Sequence, residues 1–250
     1  MTLHLHHDST LEPGLTLLRV PSKRSTAVHR LVCDHLAAGG SGTGDGTEPR
    51  NANAYWIDAG NTASTHVLYD VAPGSGRRVL EPLQIARAFT AYQHHSLVRD
   101  VTARADPDTA LIVAPNVGAL YRDDDLAGWE RDDLLESTVT ILAELGRSLE
   151  CPVLITAAES TPTTTLERLE TAAAATIECT QTREGLRFDG DGVETMGYWH
   201  GRYWQTTIPY WVECCGRLDP DAALAGVPHP SHQSVGDPLE EVDMGAEVLA

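Results

Sequence analysis

The strongest constraint on this chain's fold is its alternation of short apolar segments with stretches of helical period. Ala110–Ala114 (ALIVA) and Val153–Thr156 (VLIT) are the most apolar of these segments. Between them, over Asp132–Leu149, Leu134, Leu135, Thr138, Val139, Leu142, Leu145 and Leu149 recur at steps of three and four, which places them on one face of a helix. Leu15–Val20, Ala54–Ile57 and Leu83–Ala88 read as further strands, with helices over Thr26–Ala38 and Tyr92–Ala103. Strands separated by helices pair in parallel, and short apolar strands imply a sheet covered on both faces. The expected fold is therefore α/β, a mostly parallel twisted sheet flanked by helices. A more β-like end follows, with Thr176–Thr180, Gly185–Phe188 and an aromatic segment, Tyr198–Trp211.

At 250 residues the chain can build one large core. We expect a flexible N-terminus over 1–10 and one domain over 11–217. Beyond Arg217 there is no Lys or Arg, and Pro, Gly, Asp and Glu dominate, so 218–250 reads as a flexible acidic tail. No apolar run reaches the ~18 residues that a membrane span needs, and Met1–Ser9 is polar, so the cytoplasm is the expected location. Five cysteines without C-x-x-C spacing point to free thiols rather than to disulfides or a zinc site.

Asp and Glu number 36 against 18 Lys and Arg, a formal charge of −18, and Lys23 is the one lysine. An acidic surface almost without lysine fits a salt-in halophile, where high salt screens the repulsion between carboxylates. Against that background net charge does not decide whether nucleic acid is a partner, because only local arginine clusters carry information.

Several phrases resemble the archaeal RadA/RadB recombinases of the RecA family. Trp56–Thr62 (WIDAGNT) resembles the family's second core strand. Ile85–Tyr92 (IARAFTAY) resembles its R-A-F/Y strand with the His/Gln-rich turn that follows. Ala110–Tyr121 (ALIVAPNVGALY) resembles the Walker B strand and its extension, and Asp132–Thr156 the long helix and the next strand. The likeness runs over residues 12–195. It implies a RecA-like P-loop core and a setting in DNA repair, recombination or replication.

The residues of ATP chemistry depart from that pattern. A P-loop needs glycines, so that backbone N–H groups can wrap the phosphates, and a lysine directly before Ser/Thr. Here the turn after the first strand is Val20-Pro21-Ser22-Lys23-Arg24-Ser25-Thr26, which has no glycine, and Pro21 lacks a donor. The place of the Walker B aspartate is taken by Pro115 or Asn116, and that of the activating glutamate by Gly60, with Asp58 two residues early. The expectation is a non-catalytic paralogue without a bound cofactor, acting as a binding or scaffold subunit. Lys23, Ser25, Thr26 and Asp58 are vestigial nucleotide-binding candidates. The alternative is a weak, unconventional NTPase that binds ATP and Mg²⁺ through Lys23, Thr26 and Asp58.

Other features read more simply. Gly39–Gly46 (GGSGTGDG) follows a helix and lacks a downstream lysine, so it reads as a surface loop. His94 and His95 sit in the turn leading into a helix, where packing or capping is expected. Tyr198, Trp199, Arg202, Tyr203 and Trp204 form an aromatic concentration suited to a protein interface or to stacking on single-stranded nucleic acid. Gln205, Ile208 and Trp211 match a sliding-clamp binding box, although Val212 replaces its second aromatic. The expected partner is a protein of the repair or replication machinery, with the sliding clamp and DNA as further candidates and the membrane excluded.

Overall fold

The computed structural model describes residues 11–40, 53–73, 76–122, 126–182 and 185–190 together with the strands 193–194, 197–200 and 203–206. The elements in order are β1 (Gly14–Val20), α1 (Ala27–Gly40), β2 (Ala54–Ala59), α2 (Thr65–Val71), α3 (Gly76–Leu80), β3 (Leu83–Ala88), α4 (Ala91–Arg104) and β4 (Leu111–Ala114). After a 3-10 turn at Leu120–Arg122 come α5 (Gly128–Ser148), β5 (Pro152–Ala158), α6 (Thr163–Ala172), β6 (Ala175–Thr182) and β7 (Gly185–Gly190). The short strands β8 (Val193–Glu194), β9 (Gly197–His200) and β10 (Tyr203–Thr206) complete the set. The sheet runs β10-β9-β7-β6-β1-β5-β4-β2-β3, with β8 beside β7. Pairing is parallel from β3 through to β6 and antiparallel from β7 onward.

The strands are short and apolar because both faces are covered. Leu18, Val20, Trp56, Val113 and Leu154 belong to one core, with Val28, Leu31 and Val32 of α1 and Leu68 of α2. Leu15, Leu17, Ile57, Ile112 and Ile155 belong to the other, with Val98 of α4, Leu135, Val139 and Leu142 of α5 and Leu169 of α6. Neighbouring strand residues thus alternate between the two cores, as the pleat requires. α5 comes close enough to β1 that a Cβ on Gly146 would meet Gly14 Cα at 3.0 Å. Gly146→Ala should gain about 1 kcal/mol of helix propensity yet lose more to overpacking, a net loss of about 1–2 kcal/mol in a denaturant melt.

The strands and helices read from the sequence are present, with α5 starting at Gly128 rather than Asp132, and α2, α3 and α6 are additional. No described helix is long and apolar enough to cross a membrane. Cys33, Cys151 and Cys179 are buried free thiols, and burial pushes Cys33 and Cys179 up to about 12. Cys214, Cys215, the N-terminal 1–10, most of the glycine-rich loop and the 218–250 tail lie outside the described residues.

Candidate functional site

In a parallel sheet, ligands gather beyond the C-terminal strand ends where successive connections leave on opposite faces. Here that place lies between β1, whose chain continues into α1 on one face, and β4 and β5, whose chain continues into α5 and α6 on the other. Lys23 after β1, Asn116 and Arg122 after β4, and Thr156, Ser160 and Thr161 at β5 border a cavity there.

The turn after β1 is closed by its own hydrogen bonds. Ser25 N–H donates to the Ser22 carbonyl (3.0 Å), and Ala27 N–H to Ser25 Oγ (3.3 Å). Pro21 has no N–H to offer. Asn116, held in the left-handed region at φ 50°, donates through Nδ2 to the Lys23 carbonyl (3.2 Å), while its own N–H donates to Thr156 Oγ1 (2.8 Å). The Asn116 side chain is therefore spent on tying down the first turn. What remains is a cavity of about 20 Å³, room for about one water molecule. Lys23, which borders it, is exposed, as are Arg24 and Thr26 in the same turn.

Lys23, Ser25 and Thr26 share this turn, but Asp58 does not join them. Its strand is separated from β1 by β4 and β5, three strand spacings or about 14 Å. Asp58 is fully buried. Oδ1 accepts from Thr62 N–H (2.9 Å) and Thr62 Oγ1–H (2.6 Å), and Oδ2 from Ala63 N–H (3.1 Å). Arg87 Nε lies 3.6 Å from Oδ2, and Arg87 Nη2 donates to the Ala63 carbonyl (2.8 Å). The carboxylate thereby organises the Gly60-Asn61 turn, where φ is 89° and 58°. A glycine at the first of these avoids the strain a side chain would meet there.

A histidine network lies nearby. His94 is fully buried, and its Nδ1 lies 2.9 Å from Tyr121 Oη. Tyr121 Oη lies 2.7 Å from Thr138 Oγ1, which is 3.1 Å from His95 Nδ1. Burial holds His94 down to about 4, so it is neutral at pH 7. His29, stacked at 5.1 Å on Trp56, accepts from Ser64 N–H at Nε2 (3.3 Å), and burial also lowers its pKa. Sequence reasoning assigned His94 and His95 to packing or capping, but nothing in it pointed to His29.

At the sheet's end, β3 is paired, among the described residues, only on its β2 side. Between β3 and α4 lies a cavity of about 140 Å³ whose walls include Tyr55, Ile57, Ala86, Leu97 and Val101. This second candidate place went unread in the sequence, because which strand ends the sheet depends on strand order.

Tyr198 and Trp199 fall in β9, and Tyr203, Trp204 and Gln205 in β10. The two strands pair with Trp204 opposite Trp199 and Gln205 opposite Tyr198. Arg202, Ile208 and Trp211 lie outside the described residues. Among the described residues no group of three or more His, Cys, Asp or Glu is arranged to hold a metal ion. No protein-family model matches the chain, and no curated protein is significantly similar to it.

Proposed function

We propose that this chain is a non-catalytic RecA-fold paralogue that serves as a binding or scaffold subunit in DNA repair, recombination or replication. The observation that carries the reading is the Asn116–Lys23 tie. On the resemblance the Walker B place falls at Pro115 or Asn116, neither of which can hold Mg²⁺ as a carboxylate would, and Asn116 instead fastens a glycine-free first turn. The mostly parallel, helix-flanked sheet is compatible with that reading. The β3 edge, unpaired among the described residues, lies beside a cavity with apolar walls that Gln84, Asp100 and Arg104 also border, which suits a binding role, since an added strand can pair with the edge while one of its side chains enters the cavity. The NTPase reading is weaker, because Thr62, Ala63 and Arg87 already engage both Asp58 oxygens.

Titration with a fluorescent ATP analogue in molar KCl should give no saturable binding, and phosphate release should stay at the buffer rate. Turnover that disappears in Lys23→Ala would establish the NTPase instead. In a deletion strain sensitive to DNA damage, Lys23→Ala should restore resistance and Leu97→Arg, which fills the β3 cavity, should not. Resistance unaffected by the deletion would remove the repair assignment.

A further inference from the structure

Four large apolar side chains stand out as exposed among the described residues, and three of them gather where α4 and α5 begin: Phe89 at 72%, Tyr92 at 52% and Trp129 at 69%. Phe89 directly follows β3, and its N–H donates to Gln93 Oε1 in the first turn of α4 (2.9 Å). The Tyr92 hydroxyl donates to the Glu130 carboxylate, which brings the neighbour of Trp129 against α4. Three exposed rings at one place exceed the scatter of single apolar residues that a folded surface ordinarily carries.

The charge beside the rings is concentrated. Gly128–Glu136 carries Glu130, Asp132, Asp133 and Glu136 against Arg131 alone, so nine residues hold a net −3 in a chain that carries −18 over 250. Asp132, Asp133 and Glu136 follow Trp129 at three, four and seven residues, on the same stripe of α5. All three are exposed, and Asp132 is paired within the chain to Arg168 of α6 at 3.0 Å, which leaves Asp133 and Glu136 for a partner. The N-termini of α4 and α5 each contribute roughly half a positive charge, too little to offset this.

We infer that this patch is a docking surface for an arginine-bearing segment of a partner protein. Guanidinium groups stack on the aromatic faces and pair with Asp133 and Glu136 of the Trp129 stripe. A guanidinium is planar and weakly hydrated, so it stacks on a ring and meets a carboxylate side-on more readily than an ammonium group does. A two-fold dimer formed through this surface would set the acidic patch against itself. Nucleic acid would bring phosphates against the same carboxylates. The inference does not depend on the β3 edge or on the state of the nucleotide site.

The test uses the full chain with fluorescein-labelled oligo-arginine and oligo-lysine peptides of equal length. It is run at about 1 M KCl, where the ~3 Å Debye length removes attraction to the acidic surface at large. The arginine peptide should bind roughly threefold to fivefold more tightly than the lysine peptide. Trp129→Leu, and separately Tyr92→Leu, should erase that difference while leaving the melting temperature within a few degrees of wild type. Equal binding of both peptides, or an arginine preference that survives both variants, overturns the inference. So does binding of an oligo-dT strand, or self-association, that depends on Trp129.

Discussion

Asp58→Ala should destabilise the protein by about 2–4 kcal/mol, because it takes the acceptor from the Thr62 and Ala63 donors. Asp58 is fully buried, and its two oxygens serve the N–H groups of Thr62 and Ala63, the Thr62 hydroxyl and Arg87. Alanine leaves the buried Ala63 N–H and the half-buried Thr62 donors without their acceptor, each unsatisfied buried group costing about 1–3 kcal/mol. Asp58→Asn should lose less, because its amide oxygen can still accept one pair of bonds. Urea denaturation at fixed KCl measures both variants. An Asp58→Ala protein as stable as wild type would return this carboxylate to the list of chemical candidates.

Acidification from pH 7 to pH 4 should destabilise Asp34→Asn by about 3 kcal/mol more than the wild-type protein. His94 is held down to about 4, against about 6.5 when unfolded. The unfolded chain therefore takes up its proton first as pH falls. The stability that neutral His94 allows is full above pH 6.5 and is lost progressively toward pH 4. With about 1.4 kcal/mol per pKa unit, the loss is about 3 kcal/mol. His29 and His35, lowered by burial, act in the same direction. Asp34 acts in the opposite one, because burial raises it to about 6 from an ordinary value of 3.8. Below pH 6 the folded state takes up the Asp34 proton first, which adds about 3 kcal/mol by pH 3.8. In wild type the Asp34 gain offsets the His94 part of this loss and leaves the part that His29 and His35 add. Asp34→Asn removes the gain, so chemical denaturation at pH 7 and pH 4 should reveal the full His94 loss. His94→Asn in the same background, which keeps a hydrogen-bonding group facing Tyr121, should flatten the profile again. A steep wild-type profile that Asp34→Asn leaves unchanged would contradict this account.

The central strands β1, β2, β4 and β5 were legible because burial on both sides leaves so little choice of residue. Leu83–Ala88 was placed to the residue, and the ALIVA and VLIT segments within a few residues. α6 was not, because its first turn is a run of threonines and Leu169 is its one buried residue, too weak a period to register. α2 begins at a Ser64 cap whose side chain accepts from Val67 N–H, and its Leu68 alone is buried. The candidate site was legible as a set of departures from a pattern. What replaces the missing chemistry was not, because the Asn116–Lys23 bond joins residues 93 apart in sequence. Asp58 read as a misplaced catalytic acid because its partners only converge once the Gly60-Asn61 turn has formed and β2 has registered against Arg87 of β3.

The central position of β1 has a consequence for how the chain is made. Its parallel neighbours are β5 and β6, with Gly14 opposite Pro152, about 140 residues later. During synthesis at ~5–20 residues per second, β1 waits roughly 7–30 seconds before either neighbour has left the ribosome. β2, β3 and β4 lie within Ala54–Ala114 and can pair with one another well before then. The nascent protein is therefore a half-sheet with a loose apolar strand, GLTLLRV, ahead of it. Pairing of such sequence-distant strands is slow, because loop closure precedes any favourable contact. The passage from half-sheet to closed core is where a folding helper would matter most, and slowed translation between β4 and β5 would lengthen the exposure of β1.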